Sequence, residues 1–336
     1  MPRLPSAIIL LILCLLPTAW AAPTQLLPYQ DGEIPEPDWF KHSFLELADD
    51  LEEASQSDKK LLIYFHQAGC GYCYNLVQQV FMDPALSDFI QQHYDVIALN
   101  LWGDRAVTLP DGTELPEKQL AKQWQVQYTP TLLFFSGSLE PLLRLNGYRK
   151  PSTMGQLLRD VAALQPGEEL STALPAGRQA ARLTPTKQFA DLRPDTTYSE
   201  NRPVAVIFEY PGCDDCAQLH QTLLQRDDSK VNLASYQTLR VDLSHPELIP
   251  LPSGELLTAR AWATQEGLDY FPSLLLFDVS GQEQFRINAY VQAFHFNAAL
   301  EYVAEGIYQH TPEFQRYIDY RADLMRAEQQ TPVITQ

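Results

Sequence analysis

The chain carries one stretch of pattern twice. Cys70-Gly-Tyr-Cys73 and Cys213-Asp-Asp-Cys216 stand 143 positions apart. Leu109-Pro-Asp-Gly-Thr-Glu-Leu115 and Leu251-Pro-Ser-Gly-Glu-Leu-Leu257 stand 142 apart, as do Tyr128-Thr-Pro-Thr-Leu-Leu-Phe-Phe135 and Tyr270-Phe-Pro-Ser-Leu-Leu-Leu-Phe277. Tyr148 and Tyr290 share that offset. A near-constant offset over several features marks an internal duplication. It requires a fold that closes within less than half of the 336 residues, a normal domain size.

Each copy has the same grammar of elements. In the first, Leu61 to His66 is a short apolar run of buried-strand type. A helical pattern runs from Cys70 to about Met82, with Leu76, Val77 and Val80 on one face. Strands are expected at Asp95–Leu101, Thr131–Ser136 and Leu142–Asn146, and helices at Glu117–Trp124 and Pro151–Leu164. Ahead of them, Ser43 and Glu46 have capping-box spacing, and Phe44, Leu47, Ala48 and Leu51 follow at helical spacing. The second copy repeats the order. Val204–Glu209, Tyr236–Leu243, Ser273–Asp278 and Gln284–Ala289 read as strands, and Cys213–Leu224, Thr258–Gln265 and Val291–Ile307 as helices. This is the pattern of an α/β sandwich. The resulting division is a first domain at 36–164, a linker at 165–190, a second domain at 191–310 and a charged tail at 311–336. The tail is helical at its start, and Thr184–Leu192 has the pattern of a first helix for the second domain.

Residues 1–22 open with Met-Pro-Arg, continue with an apolar run from Ala7 to Leu16 and reach Ala19-Trp20-Ala21. A cation, a short apolar run and a small-x-small site make a secretory signal peptide. The expectation is an exported or periplasmic chain with no stable membrane insertion after cleavage. The formal net charge of −18 argues against nucleic acid, whose phosphates need clustered Lys and Arg. Of five cysteines, Cys14 leaves with the signal peptide. The other four all belong to a C-x-x-C, which in an exported chain points to chemistry more than to a disulfide scaffold.

A cysteine at a helix N-terminus faces free backbone N–H groups and the positive end of the helix dipole. Both favour thiolate, the attacking form. Two intervening residues bring the second sulfur within bonding reach. Cys70 and Cys213 are therefore the candidate nucleophiles, and Cys73 and Cys216 the resolving thiols.

A strand, a C-x-x-C opening a helix, and an X-Pro before a third strand resemble the thioredoxin superfamily. The likeness falls on Cys70, Cys73 and Thr129-Pro130, and again on Cys213, Cys216 and Phe271-Pro272. The segment from Phe208 to His220 is similar to exported thioredoxins of the SoxW type. The resemblance implies two tandem thioredoxin-like domains of α/β class, each a mixed sheet flanked by helices, acting as a thiol–disulfide oxidoreductase without a cofactor. It implies that Pro130 and Pro272 are cis and lie against the disulfides. The backbone at Thr129 and Phe271 would pair with substrate. The partners implied are protein or small-molecule thiols and disulfides, and an upstream electron donor.

The chain also departs from that family. Gly69 and Gly212 precede the motifs where the commonest pattern has Trp. The buried acid used for proton transfer is replaced by Tyr64 and Ile207. His66 and Glu209, four residues before each first cysteine, are substitutes for it; His66 could equally be a strand-end packing residue, and His220 a helix-face residue. Gly71-Tyr72 is uncharged, whereas Asp214-Asp215 sets two carboxylates beside the sulfurs and disfavours thiolate at Cys213. The second site is thus expected to be the more reducing. Nothing basic flanks either motif in sequence, which favours a reductase over an oxidase. Two rivals remain: a Cu- or Zn-binding thiol protein, and one catalytic domain with a non-catalytic docking partner, the second domain being the candidate for docking.

Overall fold

A computed structural model describes residues 34–165, 168 and 186–328. The signal-peptide segment lies outside the described residues. The first domain runs α1 (Leu47–Gln56), β1 (Lys60–His66), α2 (Gly71–Leu76) with a π-helical turn at Val77–Phe81, α3 (Pro84–His93) and β2 (Tyr94–Asn100). A small hairpin follows, β3 (Ala106–Thr108) and β4 (Glu114–Pro116), then α4 (Glu117–Gln123), β5 (Thr131–Phe135), β6 (Pro141–Asn146) and α5 (Pro151–Ala163). The second domain runs β7 (Ala190–Asp191), β8 (Val204–Glu209), α6 (Asp214–Gln221), α7 (Asp227–Leu233), β9 (Gln237–Asp242), β10 (Leu248–Pro250) and β11 (Leu256–Thr258). It closes with α8 (Ala259–Gln265), β12 (Ser273–Phe277), β13 (Glu283–Ile287), α9 (Ala293–Ala304) and α10 (Phe314–Ala327).

The first sheet has the order β2-β1-β5-β6, with β1 and β2 parallel and the other pairs antiparallel. The second repeats this as β13-β12-β8-β9 and adds β7 at the edge. The central strand is apolar at nearly every position because helices cover both faces. In β1, Leu62 and Tyr64 enter one core, while Leu61, Ile63 and Phe65 enter the other. In β8, Ala205 and Ile207 face one way, and Val204, Val206 and Phe208 the other. The four layers of core thus follow from period-2 alternation along two strands.

Two helix expectations need correction. The capping box at Ser43 does not form. The Ser43 hydroxyl accepts from Leu45 N–H at 2.7 Å and donates to Asp50 at 2.6 Å, a local turn. Leu45 takes φ +63°, so the chain bends before α1 begins at Leu47. Phe44 is 97% exposed instead of buried. In the second domain, the described part of Thr184–Leu192 is no helix: it holds β7, which pairs in parallel with β9. Two helices, α3 and α7, lie outside the expected elements. For α3 the signal was present, since Asp83 caps the N-terminus and Pro84 occupies its first turn. At the far end, α10 lays Phe314, Tyr317 and Ile318 into the same core as α9.

Candidate active site

Both C-x-x-C motifs are built alike from the backbone upward. Gly69 and Gly212 adopt φ +74° and +83°, the left-handed region where a side chain is costly. This turn ends β1 or β8 and sets the following cysteine as helix N-cap. The sulfur of Cys70 accepts from Cys73 N–H at 3.0 Å, and that of Cys213 from Cys216 N–H at 3.0 Å. The sulfurs are joined as Cys70–Cys73 and Cys213–Cys216, with Cα atoms 5.2 Å apart in each pair. Among the described residues, no three His, Cys, Asp or Glu side chains converge as a metal-binding group.

Thr129–Pro130 and Phe271–Pro272 are both cis. The Cys213 sulfur lies 3.7 Å from the Phe271 carbonyl oxygen. The two sites differ in cover. Gly71, Tyr72, Thr129 and Pro130 are all buried, whereas Asp214 is exposed and Asp215, Phe271 and Pro272 are partly exposed.

The residues singled out for proton transfer have distinct settings. Glu209 is buried at the end of β8, and its carboxylate lies 2.7 Å from His220 Nε2 on α6. His66 stacks on Tyr64 and lies 3.4 Å from the Glu36 carboxylate, holding that carboxyl below its ordinary range. Tyr64 is buried with no partner on its hydroxyl among the described residues, and desolvation pushes the phenol well up. It does not replace an ionised acid.

A model of the thioredoxin-like domain matches the chain twice, over residues 47–162 and 193–304. The chain belongs to the thioredoxin-like family. A thioredoxin from Alicyclobacillus acidocaldarius subsp. acidocaldarius is 30% identical over 111 residues, which are 33% of this chain and 90% of that protein. Among solved structures, a thioredoxin-fold protein from Helicobacter pylori is 17% identical, covering 38% of this chain and 89% of its own, with a TM-score of 0.34. A thioredoxin from Thermus thermophilus is 26% identical, covering 35% and 85%, with a TM-score of 0.28.

The two thioredoxin-like domains meet through their C-x-x-C faces. Lys150, in the loop from β6 to α5, places its ammonium 2.6 Å from the Asp215 carboxylate, inside the second motif. Gln292, at the equivalent place between β13 and α9, donates its backbone N–H to the Tyr72 hydroxyl at 2.8 Å, inside the first motif. Residue 150 is equivalent to 292, and 72 to 215, so the contact is made twice with the domains exchanged. On the axis of that exchange, Tyr148 and Tyr290 pair edge to face at 6.4 Å. Gly147 meets Ala289 so closely that an added methyl would lie 2.4 Å from the alanine Cβ. The seam is an internal isologous interface.

Other contacts close it. Arg149 is fully buried; it donates to Asn146 O and Asn288 O, each at 2.7 Å, and lies 3.4 Å from Asp269 and 4.7 Å over the Tyr270 ring. Burial pushes the Asp269 carboxyl up, with Arg149 pulling against it. Tyr72 packs edge-on against His295 at 5.0 Å, and burial raises its phenol. Gln67, just before the first motif, donates to Gln315 of α10 at 2.9 Å.

The expectation that nothing basic flanks either motif fails at the second. A basic residue does flank the second motif, but it comes from the other domain. Lys150, Arg149, Asp269, Gln292 and His295 were not singled out. Their signal was the Tyr148 and Tyr290 repeat, which marks the two loops of the seam without saying what they touch.

Proposed function

We propose that this protein is an exported thiol–disulfide oxidoreductase working by dithiol–disulfide exchange, in the reducing direction. The observation that carries this reading is the first sulfur of each motif capping its helix and accepting the backbone N–H of the second cysteine at 3.0 Å. That bond and the helix dipole stabilise negative charge on sulfur. In the reduced protein, the Cys70 or Cys213 thiolate attacks a substrate disulfide, forms the mixed disulfide and releases one substrate thiolate. Cys73 or Cys216, losing its proton, attacks the first cysteine's sulfur and releases the second substrate thiolate. The substrate is reduced by two electrons, and the protein is left as the intramolecular disulfide.

Substrate backbone would pair beside Thr129–Pro130 and Phe271–Pro272. Glu209, with His220, and His66 are the groups offered for moving the resolving thiol's proton. The reducing direction is supported by the motif residues Gly71-Tyr72 and Asp214-Asp215, which bring no cation of their own to make a strongly depressed thiol. Export rests on the Arg3, apolar-run and Ala19-Trp20-Ala21 pattern. Among the described residues, no helix is long and apolar enough to cross a membrane.

A second reading, with one domain docking and the other catalysing, is favoured by the Tyr72–Gln292 contact, because it covers the first motif with the second domain. The full chain should reduce insulin disulfides with dithiothreitol as donor. Cys70→Ser/Cys73→Ser and Cys213→Ser/Cys216→Ser separate the two readings. Activity in both double variants supports two working sites, activity in one supports docking, and an inactive parent chain rejects the oxidoreductase. N-terminal sequencing of the periplasmic product tests export, expecting a start at about residue 23.

A further inference from the structure

Asp214 and Asp215 are the charged residues of the second motif, and on sequence alone they argue for a poorly stabilised thiolate at Cys213. The folded chain changes the charge balance. Lys150 reaches across the seam and is held by three groups of the second domain. Its ammonium is 2.6 Å from Asp215 Oδ1, 3.4 Å from Gln218 Oε1 and 5.5 Å from the centre of the Tyr290 ring. The other Asp215 oxygen accepts from the Tyr270 hydroxyl at 3.1 Å. The Lys150 and Asp215 side chains are only 24% and 27% exposed, so water screens the pair less than a surface pair.

The other charges nearby are committed or distant in role. Arg149, the adjacent cation, is engaged by Asp269 and two backbone carbonyls. Asp214 points to solvent. Glu209 is paired with His220 beneath the motif. Tyr210 and Tyr270 remain protonated, their phenols raised by burial and then by the Asp215 charge. Lys150 is therefore the group positioned to cancel Asp215. The first motif has no counterpart, because Gln292 stands where Lys150 would be and brings no charge.

We propose that Lys150 of the first domain is a positioning residue for the second dithiol: by neutralising Asp215 it sets the balance between Cys213–Cys216 disulfide and dithiol. This rests on reading Cys213–Cys216 as an exchanging pair. A neighbouring cation stabilises thiolate and hence the reduced form. With the seam closed, the second site is less reducing than its Asp-Asp sequence dictates. When Lys150 is withdrawn, the disulfide gains.

The reaction that reads this is protein disulfide plus two glutathione thiols giving protein dithiol plus glutathione disulfide. It is measured on the full chain carrying Cys70→Ser/Cys73→Ser, titrated in glutathione buffers at low salt and trapped by alkylation. Adding Lys150→Met should shift the equilibrium constant toward protein disulfide by roughly two- to fivefold, the range of a partly exposed ion pair. Lys150→Arg should restore most of it, and high salt should shrink the difference. The same Lys150→Met change in the Cys213→Ser/Cys216→Ser background should leave the first dithiol unmoved. An unchanged second-site constant overturns the proposal. So does failure of Lys150→Arg to restore, or an equal shift at the first dithiol, because either result makes Lys150 merely structural. The equilibrium remains readable if the second site fails to reduce insulin, so loss of the functional reading and loss of this one are separate results.

Discussion

His295 touches both domains through one ring. It sits on α9, edge-on to Tyr72 of the first motif, with its Nδ1 buried and unpartnered among the described residues. Burial, with Arg321 adding repulsion, lowers its titration from the usual 6.5 to about 4. The folded chain therefore holds this imidazole neutral, and the unfolded chain binds the proton more tightly. The associated stability is whole above pH 6.5 and drains as pH falls toward 4. The full loss is on the order of 2 kcal/mol, discounted because the residue as a whole is partly exposed. Urea unfolding of wild type and His295→Phe at pH 7 and pH 4.5 isolates this contribution. The variant should lose less stability on acidification, and parallel losses would refute it. The two nucleophiles are themselves equally covered, at 7% and 6% exposure, but their surroundings are not. In the reduced full chain, iodoacetamide should modify Cys213 faster than Cys70, because Tyr72, Thr129 and Pro130 are buried while Asp214, Phe271 and Pro272 reach solvent. Peptide mass spectrometry reads the order, and a faster Cys70 would contradict it. At this scale the cysteine pairs and both cis prolines were legible, since each sits in a local motif. Lys150 was not, because its partner lies 65 positions away in the other domain.

Elements were legible where one physical signal acted alone. The strands β1 and β8 declared themselves by apolar runs, and α5 by Pro151 in its first turn. The start of α1 misled because Ser43 satisfies the capping-box spacing but spends its hydroxyl on Leu45 and Asp50. A serine's preference for a local turn over a cap is a competition that spacing cannot decide. The loop joining β6 to α5 carries the seam's most deeply buried ion pair. Arg149 has no exposed side-chain surface and faces Asp269 at 2% exposure. Arg149→Ala would leave that carboxylate buried without its cation and should cost about 3–5 kcal/mol of stability, measured by urea unfolding. Arg149→Met combined with Asp269→Leu should recover much of it, because replacing both ions by apolar groups removes two desolvation costs together. A double variant as unstable as the single one would show that the ion pair is not the cause.

For the whole molecule, the repeat offset announced two copies of one domain but not the faces by which they meet. Interface choice depends on complementary shape, and a period carries no information about that. The meeting of Gly147 with Ala289 shows how tight the fit is. Ala289→Trp should wedge the seam open and raise the alkylation rate of reduced Cys70 severalfold, toward that of Cys213, with secondary structure by circular dichroism unchanged. An unaltered Cys70 rate would mean that the seam does not govern access.

The exchange symmetry of the seam has a consequence for association. Lys150–Asp215 and Tyr72–Gln292 are contacts between unlike partners, so each first domain selects a second domain, whichever chain supplies it. Two opened chains can satisfy every one of these contacts by trading domains, giving a swapped dimer that needs no new surface. The covalent link between the domains biases the choice toward the monomer by making their association intramolecular.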